Sequence, residues 1–199
     1  MSDLATLRAI SGLSPEPTSL KGAALVMIDL QETYRQGVMR LEGVEAAIRE
    51  AAALLARARN AGIPIIHVQH DAGPGSPYDV KAPIGQISSE VAPQGSEPVI
   101  TKAYPNAFVG TDLQAQLEAA GVKDIVLAGF MTHMCINSTA RGAFSLGFRP
   151  TVVASTTATR DLPAPGGSIV SAAQLQAASL AALTDLFAVV ADKQTDLPD

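Results

Sequence analysis

Short runs of apolar residues recur along the chain, and longer stretches between them have apolar residues at every third or fourth position. The short runs predict strands buried on both faces, because apolar and polar positions do not alternate within them. These runs cover 23–28, 63–68, 98–100, 125–128, 151–154 and 187–190. The periodic stretches predict amphipathic helices. They cover 44–61, 112–120, 132–146 and 168–186.

This alternation of strands and helices predicts a parallel sheet with helices on both faces. We therefore expect an α/β protein with the architecture of a three-layer α/β/α sandwich. In such sheets, ligands bind beyond the carboxyl ends of the strands. Polar residues that directly follow a strand are consequently the first candidates for a functional site.

The length of 199 residues and a hydrophobic fraction of 47% predict a single domain, residues 1–199, with one large core. Residues 1–20 combine a weak helical pattern with Pro and Ser, which is typical of an N-terminal arm. The segment 71–97 is rich in Gly, Pro and Ser and too long for a simple connection, so we expect a substrate loop there.

Composition excludes several partners. The net charge is -5, no run of Lys or Arg occurs and aromatic residues make up 4%, so nucleic acid is not expected as a partner. No apolar stretch approaches the ~20 residues of a membrane span, and Met1 is followed by polar residues rather than a signal sequence. A single cysteine cannot form an internal disulfide. These features predict a cytoplasmic protein with a small-molecule substrate.

Cys135, the only cysteine, follows the predicted strand 125–128 and Gly129. Its predicted place is the first turn of a helix, where unpaired N–H groups and the helix dipole favour thiolate over thiol. Free cysteines are also among the most buried residues, so this position alone leaves a purely structural role open.

Two charged residues also follow predicted strands. Asp29 comes after the first apolar run and Lys102 comes shortly after the third. Alone, Asp29 could cap a helix and Lys102 could be a solvated cation. Together with Cys135 they supply a base, a positive charge and a nucleophile, which are the groups that attack on a carbonyl requires. We expect the three side chains to meet at the carboxyl edge of the sheet.

The segments 26–31, 102–113 and 129–135 resemble, in this order, the three signature blocks of the isochorismatase-like cysteine hydrolases. The resemblance extends over about 23–190. It implies a six-stranded, mostly parallel sheet and a catalytic triad of Asp29, Lys102 and Cys135. It also implies a homo-oligomer, either a dimer or a tetramer.

The resemblance further implies a cis peptide bond between Phe130 and Met131, and an oxyanion hole formed by the N–H groups of Met131 and Cys135. In the leading hypothesis, Asp29 deprotonates Cys135, the thiolate attacks an amide or ureido carbonyl, and water hydrolyses the thioester. Further candidates for the substrate pocket are Tyr34, His70, Phe108, Thr132 and His133.

The family includes enzymes with different substrates. Its isochorismatases cleave a vinyl ether without a nucleophilic cysteine, so Cys135 favours cleavage of a C–N bond. Its nicotinamidases carry a metal-binding Asp-x-His motif that 67–71 lacks, and we expect no metal and no organic cofactor. Tyr104 occupies a place where many relatives have a basic residue, which suggests a less anionic substrate. A vinyl-ether hydrolase and a catalytically silent binding protein stay open as alternatives.

Overall fold

The computed structural model describes residues 4–199 and contains a six-stranded parallel β-sheet. Residues 1–3, which belong to the predicted N-terminal arm and to the expectation of no signal sequence, lie outside the described residues. The strands are β1 (Ala23–Ile28), β2 (Ile65–His70), β3 (Val99–Lys102), β4 (Asp124–Phe130), β5 (Arg149–Ala158), β6 (Leu162–Pro163), β7 (Ile169–Val170) and β8 (Val189–Ala191). Strands β6 and β7 form a separate antiparallel pair.

Five α-helices accompany the strands within residues 4–199. They are α1 (Leu7–Ile10), α2 (Val44–Ala61), α3 (Leu113–Ala119), α4 (Asn137–Ser145) and α5 (Ala172–Thr184). A π-helical turn, Thr132–Ile136, directly precedes α4. No helix in the described part of the chain is long and apolar enough to cross a membrane.

The strand order is β3-β2-β1-β4-β5-β8, with every neighbouring pair parallel. The order therefore reverses at β1, with β2 and β3 on one side and β4, β5 and β8 on the other. Ligands of open α/β sheets bind at such a reversal, beyond the carboxyl ends of the strands. The expected sheet architecture is confirmed, and its reversal point lies between β1 and β4.

Hydrophobic clusters cover both faces of the sheet. In β1, Leu25 and Met27 belong to the cluster that also contains the buried face of α2, whereas Val26 and Ile28 belong to the opposite cluster. Successive side chains of a strand point to opposite faces, so a central strand needs apolar residues throughout. This requirement explains why β1 is an uninterrupted apolar run.

The sequence predicted the six strands of the sheet and helices α2 to α5, but it displaced several boundaries and missed the β6–β7 pair. Strand β2 continues to His70, two residues past the predicted end, and β5 continues to Ala158 because it includes a threonine-rich part. The predicted helix 168–186 begins only at Ala172, since Ser171 and Gln174 form a capping box there. The predicted helix 132–146 begins with the π-helical turn.

Gly129 allows β1 and β4 to approach at their carboxyl ends. Its φ is +131°, and a Cβ atom at this position would lie 1.8 Å from the carbonyl oxygen of Ile28. Only glycine avoids both the backbone strain and this clash. The close approach brings the residue after β1, Asp29, next to the turn after β4 that carries Cys135.

The 71–97 segment packs against the chain that follows β1. The N–H of Ser88 donates to the carbonyl of Leu30 at 2.8 Å, and the N–H of Glu32 donates to the carbonyl of Gln86 at 2.9 Å. The Gln31 amide nitrogen donates to the carbonyl of Gly85 at 2.7 Å. The segment therefore lies beside the carboxyl end of β1, where a substrate loop would be useful.

Candidate active site

Asp29, Lys102 and Cys135 come together at the carboxyl edge of the sheet. Lys102 Nζ lies 2.7 Å from Asp29 Oδ2 and 3.3 Å from Cys135 Sγ. The three residues come from β1, β3 and the turn after β4, and all are buried. A positive charge thus lies between a carboxylate and the only thiol of the chain.

The backbone directs the Asp29 side chain into this cluster. Asp29 has a φ of +52°, a left-handed conformation that costs a non-glycine residue roughly 1–2 kcal/mol. Its N–H donates to the carbonyl of Val68 at 2.8 Å and its carbonyl accepts from the N–H of Gln31 at 2.8 Å. A helix cap, the alternative role, is excluded because the 3-10 helix that follows, Glu32–Arg35, has Gln31 as its N-cap residue. A strained residue that is held in place by its neighbours is typical of a functional site.

Lys102 is buried with its charge, contrary to the solvated position that is usual for lysine. It pairs with His70 in the β2–β3 register, and its Nζ lies 3.3 Å from His70 Nδ1. Burial tends to lower the pKa of Lys102, but the charges of Asp29 and Cys135 outweigh burial and raise it. Lys102 is therefore charged at neutral pH.

The electrostatics of Cys135 differ from the sequence-based expectation of a stabilised thiolate. Burial, followed by the negative charge of Asp29, raises the pKa of Cys135, although the charge of Lys102 lowers it. Burial also raises the pKa of Asp29 against the lowering effect of Lys102. A second negative charge is disfavoured in this buried space, because only one cation balances it.

Asp29 and Cys135 therefore share one proton beside the Lys102 ammonium. With Lys102 charged, the combinations carboxylate plus thiol and carboxylic acid plus thiolate have the same total charge. A proton can pass between the two acids without creating net charge in the buried site. This property suits a base and nucleophile that act in turn.

The peptide bond between Phe130 and Met131 is cis. The carbonyl of Met131 accepts from the N–H groups of Met134 and Ile136 at 3.0 and 3.2 Å, which fixes the following turn. The N–H of Met131 has no backbone acceptor among residues 4–199. A free N–H beside the thiol is the kind of group that could hold an oxyanion.

Aromatic rings form one wall of the site. Tyr34 packs edge-on against Phe130 and against Tyr78, with ring centroids 5.7 and 5.8 Å apart. Tyr78 also packs edge-on against His70 at 4.9 Å. Of the predicted pocket residues, Tyr34 and His70 thus lie at the site. Tyr78 belongs to the 71–97 segment and was missed, since nothing in the loop sequence distinguishes it.

The remaining predicted pocket residues, Thr132, His133 and Phe108, have different surroundings. Thr132 begins the turn that carries Cys135, and its buried hydroxyl has no hydrogen-bond partner in the described chain. His133 lies in the same turn, with Nδ1 2.6 Å from Thr159 Oγ1. The assignment of Phe108 to the pocket stays a prediction. Its ring is partly buried against the hydrophobic cluster that covers one face of the sheet, and it stacks on Phe148 at 5.8 Å.

Arg160 is a candidate that sequence reasoning missed. It lines a surface cavity of about 320 Å³ with Val38, Arg40, Glu42 and Asp161. Its Nε is buried and has no acceptor in residues 4–199. Burial and then the charge of Arg160 lower the pKa of His133, and the same charge opposes the burial that raises the pKa of Tyr78. The Arg160 charge thus acts on two residues of the site, and its buried Nε has no acceptor in residues 4–199.

In the described residues, no three His, Cys, Asp or Glu side chains are grouped so that they could hold a metal ion. His67, the remaining histidine of β2, is buried and contacts Glu97 Oε2 through Nε2 at 2.9 Å. It is a core residue with a satisfied ring nitrogen rather than a ligand.

A family model of the isochorismatase domain matches residues 23–195. The chain is 35% identical to the secreted isochorismatase effector Isc1 of Verticillium dahliae, over 92% of this chain and 95% of that protein. It is 37% identical to maleamate amidohydrolase of Pseudomonas putida, over 65% and 69% of the two chains. The crystal structure of an isochorismatase from Pseudomonas putida KT2440 superposes with a TM-score of 0.94 at 37% identity, covering 98% of this chain and 99% of that chain.

The chain belongs to the isochorismatase family, and it is a hydrolase. The family resemblance inferred from the three sequence segments is therefore confirmed. Named relatives include amidohydrolases, so the family membership itself allows more than one chemistry.

The buried ion pair predicts a pH-dependent loss of stability in Lys102→Met. Without its cation, Asp29 becomes neutral and its folded pKa rises further above the value of about 4 in an unfolded chain. At pH values between the unfolded pKa and the folded pKa of Asp29, the folded variant binds one proton more than the unfolded chain. Its free energy of unfolding therefore falls as pH rises. We expect a loss of about 3–5 kcal/mol at pH 8 and a smaller loss at pH 5, measured by urea denaturation.

Two further variants test the cause. The double variant Asp29→Asn/Lys102→Met should lose no more stability at pH 8 than at pH 5, because no buried carboxyl group is left to ionise. Lys123→Met, at an exposed lysine, should show no comparable pH dependence. Equal losses for Lys102→Met at the two pH values would contradict this description of the ion pair.

Proposed function

We propose that the protein is a cysteine amidohydrolase, which cleaves a C–N bond in a small amide or ureido compound by a thioester mechanism. The observation that carries this proposal is the position of Lys102 Nζ, 2.7 Å from a carboxylate oxygen and 3.3 Å from the single thiol. A base, a cation and a nucleophile in contact are the parts that covalent hydrolysis needs.

In the first half of the reaction, Asp29 accepts the thiol proton and Cys135 Sγ attacks the substrate carbonyl. The N–H groups of Met131 and Cys135 donate to the oxyanion. Asp29, now a carboxylic acid, protonates the leaving nitrogen, the C–N bond breaks, and a thioester remains on Cys135. The Lys102 charge balances one negative charge at every stage, whether it lies on the carboxylate or on the thiolate.

In the second half, Asp29 takes a proton from water and the resulting hydroxide attacks the thioester carbonyl. The C–S bond breaks, Cys135 regains a proton and the carboxylic acid product leaves. The buried site favours this exchange because no step requires two uncompensated negative charges.

Vinyl-ether hydrolysis is a second candidate, and the similarity to a relative named as an isochorismatase effector favours it. Protonation of an enol ether needs a carboxylic acid and a nearby cation, which Asp29 and Lys102 would supply. It does not need the thiol. Cys135 is therefore the residue that separates the two candidates.

We further propose that the substrate carries a carboxylate that binds Arg160. The unpartnered Arg160 Nε and the proximity of its charge to Tyr78 and His133 support an anionic group at this side of the site. The name maleamate amidohydrolase, given to a relative, describes such a substrate, an amide with a carboxylate. The expectation of a less anionic substrate rested on Tyr104, which is 58% exposed and therefore a weaker guide.

A small-molecule substrate, a homo-oligomer and a cytoplasmic location also stay predictions, as does the single-domain organisation. The absence of a metal or organic cofactor is likewise a prediction. The chemistry proposed above uses only side chains and backbone groups of the chain.

Cys135→Ala should lower the rate of amide or ureido hydrolysis by at least about a thousandfold, because it removes the nucleophile. The activity is measured by mass detection on a panel of small amide acids, ureido acids and isochorismate. Ser145→Ala, a change to an exposed hydroxyl on α4, serves as the control and should keep the wild-type rate. Amide hydrolysis by Cys135→Ala at the wild-type rate contradicts the proposal, and retained isochorismate cleavage favours the second candidate.

Arg160→Gln should lower kcat/KM for an amide acid by about 10- to 100-fold, the range expected for a lost hydrogen bond to a charged group. The methyl ester of the same compound should lose little, since it has no carboxylate. Arg149→Gln removes an equal charge from an exposed pair with Asp124 and controls for net charge. The proposal fails if Arg160→Gln affects the acid and the ester equally.

A further inference from the structure

Lys102 Nζ has three close partners of different chemistry. They are Asp29 Oδ2 at 2.7 Å, Cys135 Sγ at 3.3 Å and His70 Nδ1 at 3.3 Å. An ammonium group has three N–H donors, and three atoms that can accept a hydrogen bond lie within 3.3 Å of this one. The proposed mechanism uses the first two partners and leaves the third without a role.

We infer that His70 is a positioning residue for the catalytic cation. Its neutral imidazole accepts the third N–H of Lys102 and holds the ammonium between the carboxylate and the thiol. This inference rests on the proposed function, because it concerns the cation of that mechanism. His70 thus accepts a hydrogen bond from the ammonium without carrying a negative charge, which neither the thiolate nor the carboxylate can do.

The sheet places the two residues side by side. His70 and Lys102 are direct partners in the parallel β2–β3 ladder, so their side chains leave the sheet in the same direction. Gln31 fixes the end of β2 through the main chain. Its Oε1 accepts from the His70 N–H at 2.9 Å and its Nε2 donates to the His70 carbonyl at 3.0 Å. These main-chain contacts do not depend on the side chain at position 70.

The surroundings keep the ring neutral. Burial and then the charge of Lys102 lower the pKa of His70, whereas the charges of Asp29 and Asp71 raise it. Tyr78, from the 71–97 segment, packs against the ring through its own ring rather than as a charged group. A neutral ring with its proton on Nε2 presents the Nδ1 lone pair to the ammonium, and a protonated ring could only repel it.

The position of the ammonium decides whether the thiolate can form. If the third N–H lost its acceptor, the ammonium would contain an unsatisfied buried donor, which disfavours its charged form. It could also turn toward the stronger acceptor, Asp29. Either change removes the cation from Cys135 Sγ and reduces the small thiolate population that arises by internal proton transfer.

The test measures alkylation of Cys135 by iodoacetamide across pH 6–8. Because the chain has one cysteine, the incorporated label reports this residue alone. His70→Phe keeps an aromatic ring but removes the acceptor, and it should slow alkylation at pH 7 by about tenfold. His70→Asn keeps an acceptor near the Nδ1 position and should alkylate within about twofold of wild type.

The shape of the profile separates positioning from a structural role. Internal proton transfer makes alkylation nearly independent of pH in wild type and His70→Asn, whereas His70→Phe should show a rate that rises steadily with pH. His67→Gln changes the other histidine of β2, which contacts Glu97, and should keep the wild-type profile. A merely structural role would lower the melting temperature of His70→Phe without changing the profile.

Asp29→Asn distinguishes failure of this inference from failure of the proposed function. It should make alkylation depend on pH, because the thiol proton then passes to solvent and no longer to an internal acceptor. If Asp29→Asn changes the profile in this way and His70→Phe has the wild-type rate and profile, the inference about His70 is overturned while the proposed function stands. If Asp29→Asn has no effect, the base of the proposed mechanism is wrong, and the inference falls with it.

Discussion

A buried positive charge governs the chemistry of this protein. Lys102 lies in an apolar setting in contact with Asp29, and the cost of removing both charges from water is offset only while the two remain paired. The thiol of Cys135 shares this space, so it competes with Asp29 for the single positive charge. The raised pKa values of both acids express this competition. Proton transfer between base and nucleophile follows from it, since the transfer leaves the total charge unchanged.

The fold supplies the contacts that this arrangement requires. Gly129 lets the carboxyl ends of β1 and β4 approach, and the left-handed backbone of Asp29 turns its carboxylate toward β3. Parallel pairing of β2 with β3 sets His70 beside Lys102. The contacts come from the carboxyl ends of β3, β2, β1 and β4, which are neighbours in the sheet on both sides of the point where the strand order reverses. The site is thus a property of the sheet topology rather than of one local motif.

Much of this could be predicted from the sequence, for definite physical reasons. Central strands of a parallel sheet are buried on both faces, so their apolar runs are visible without any structure. Asp29 and Cys135 were identifiable because they follow such runs closely. The misplaced strand ends explain what was missed. Strand β5 was predicted to end at residue 154 but continues to Ala158, so that Arg160 lies two residues from its carboxyl end.

The pairing of His70 with Lys102 could not be predicted in the same way. His70 follows the apolar part of β2, and the register of two parallel strands that are about thirty residues apart is not encoded in either one alone. Tyr78 was equally hidden, because long loops carry no periodic pattern. Phe108 shows a different difficulty, since an aromatic residue after a strand fits a pocket and a core equally well.

The most direct measurement of the central claim is the ultraviolet absorbance of the Cys135 thiolate as a function of pH, taken as the difference between the wild-type protein and Cys135→Ala. If Asp29 takes the single negative charge that Lys102 balances, the thiol keeps its proton at neutral pH and the absorbance develops only above the pKa of a free thiol, about 8.5. A thiolate signal that is complete at pH 7 would show that Cys135, and not Asp29, holds the negative charge beside Lys102, and it would contradict the raised pKa of the thiol.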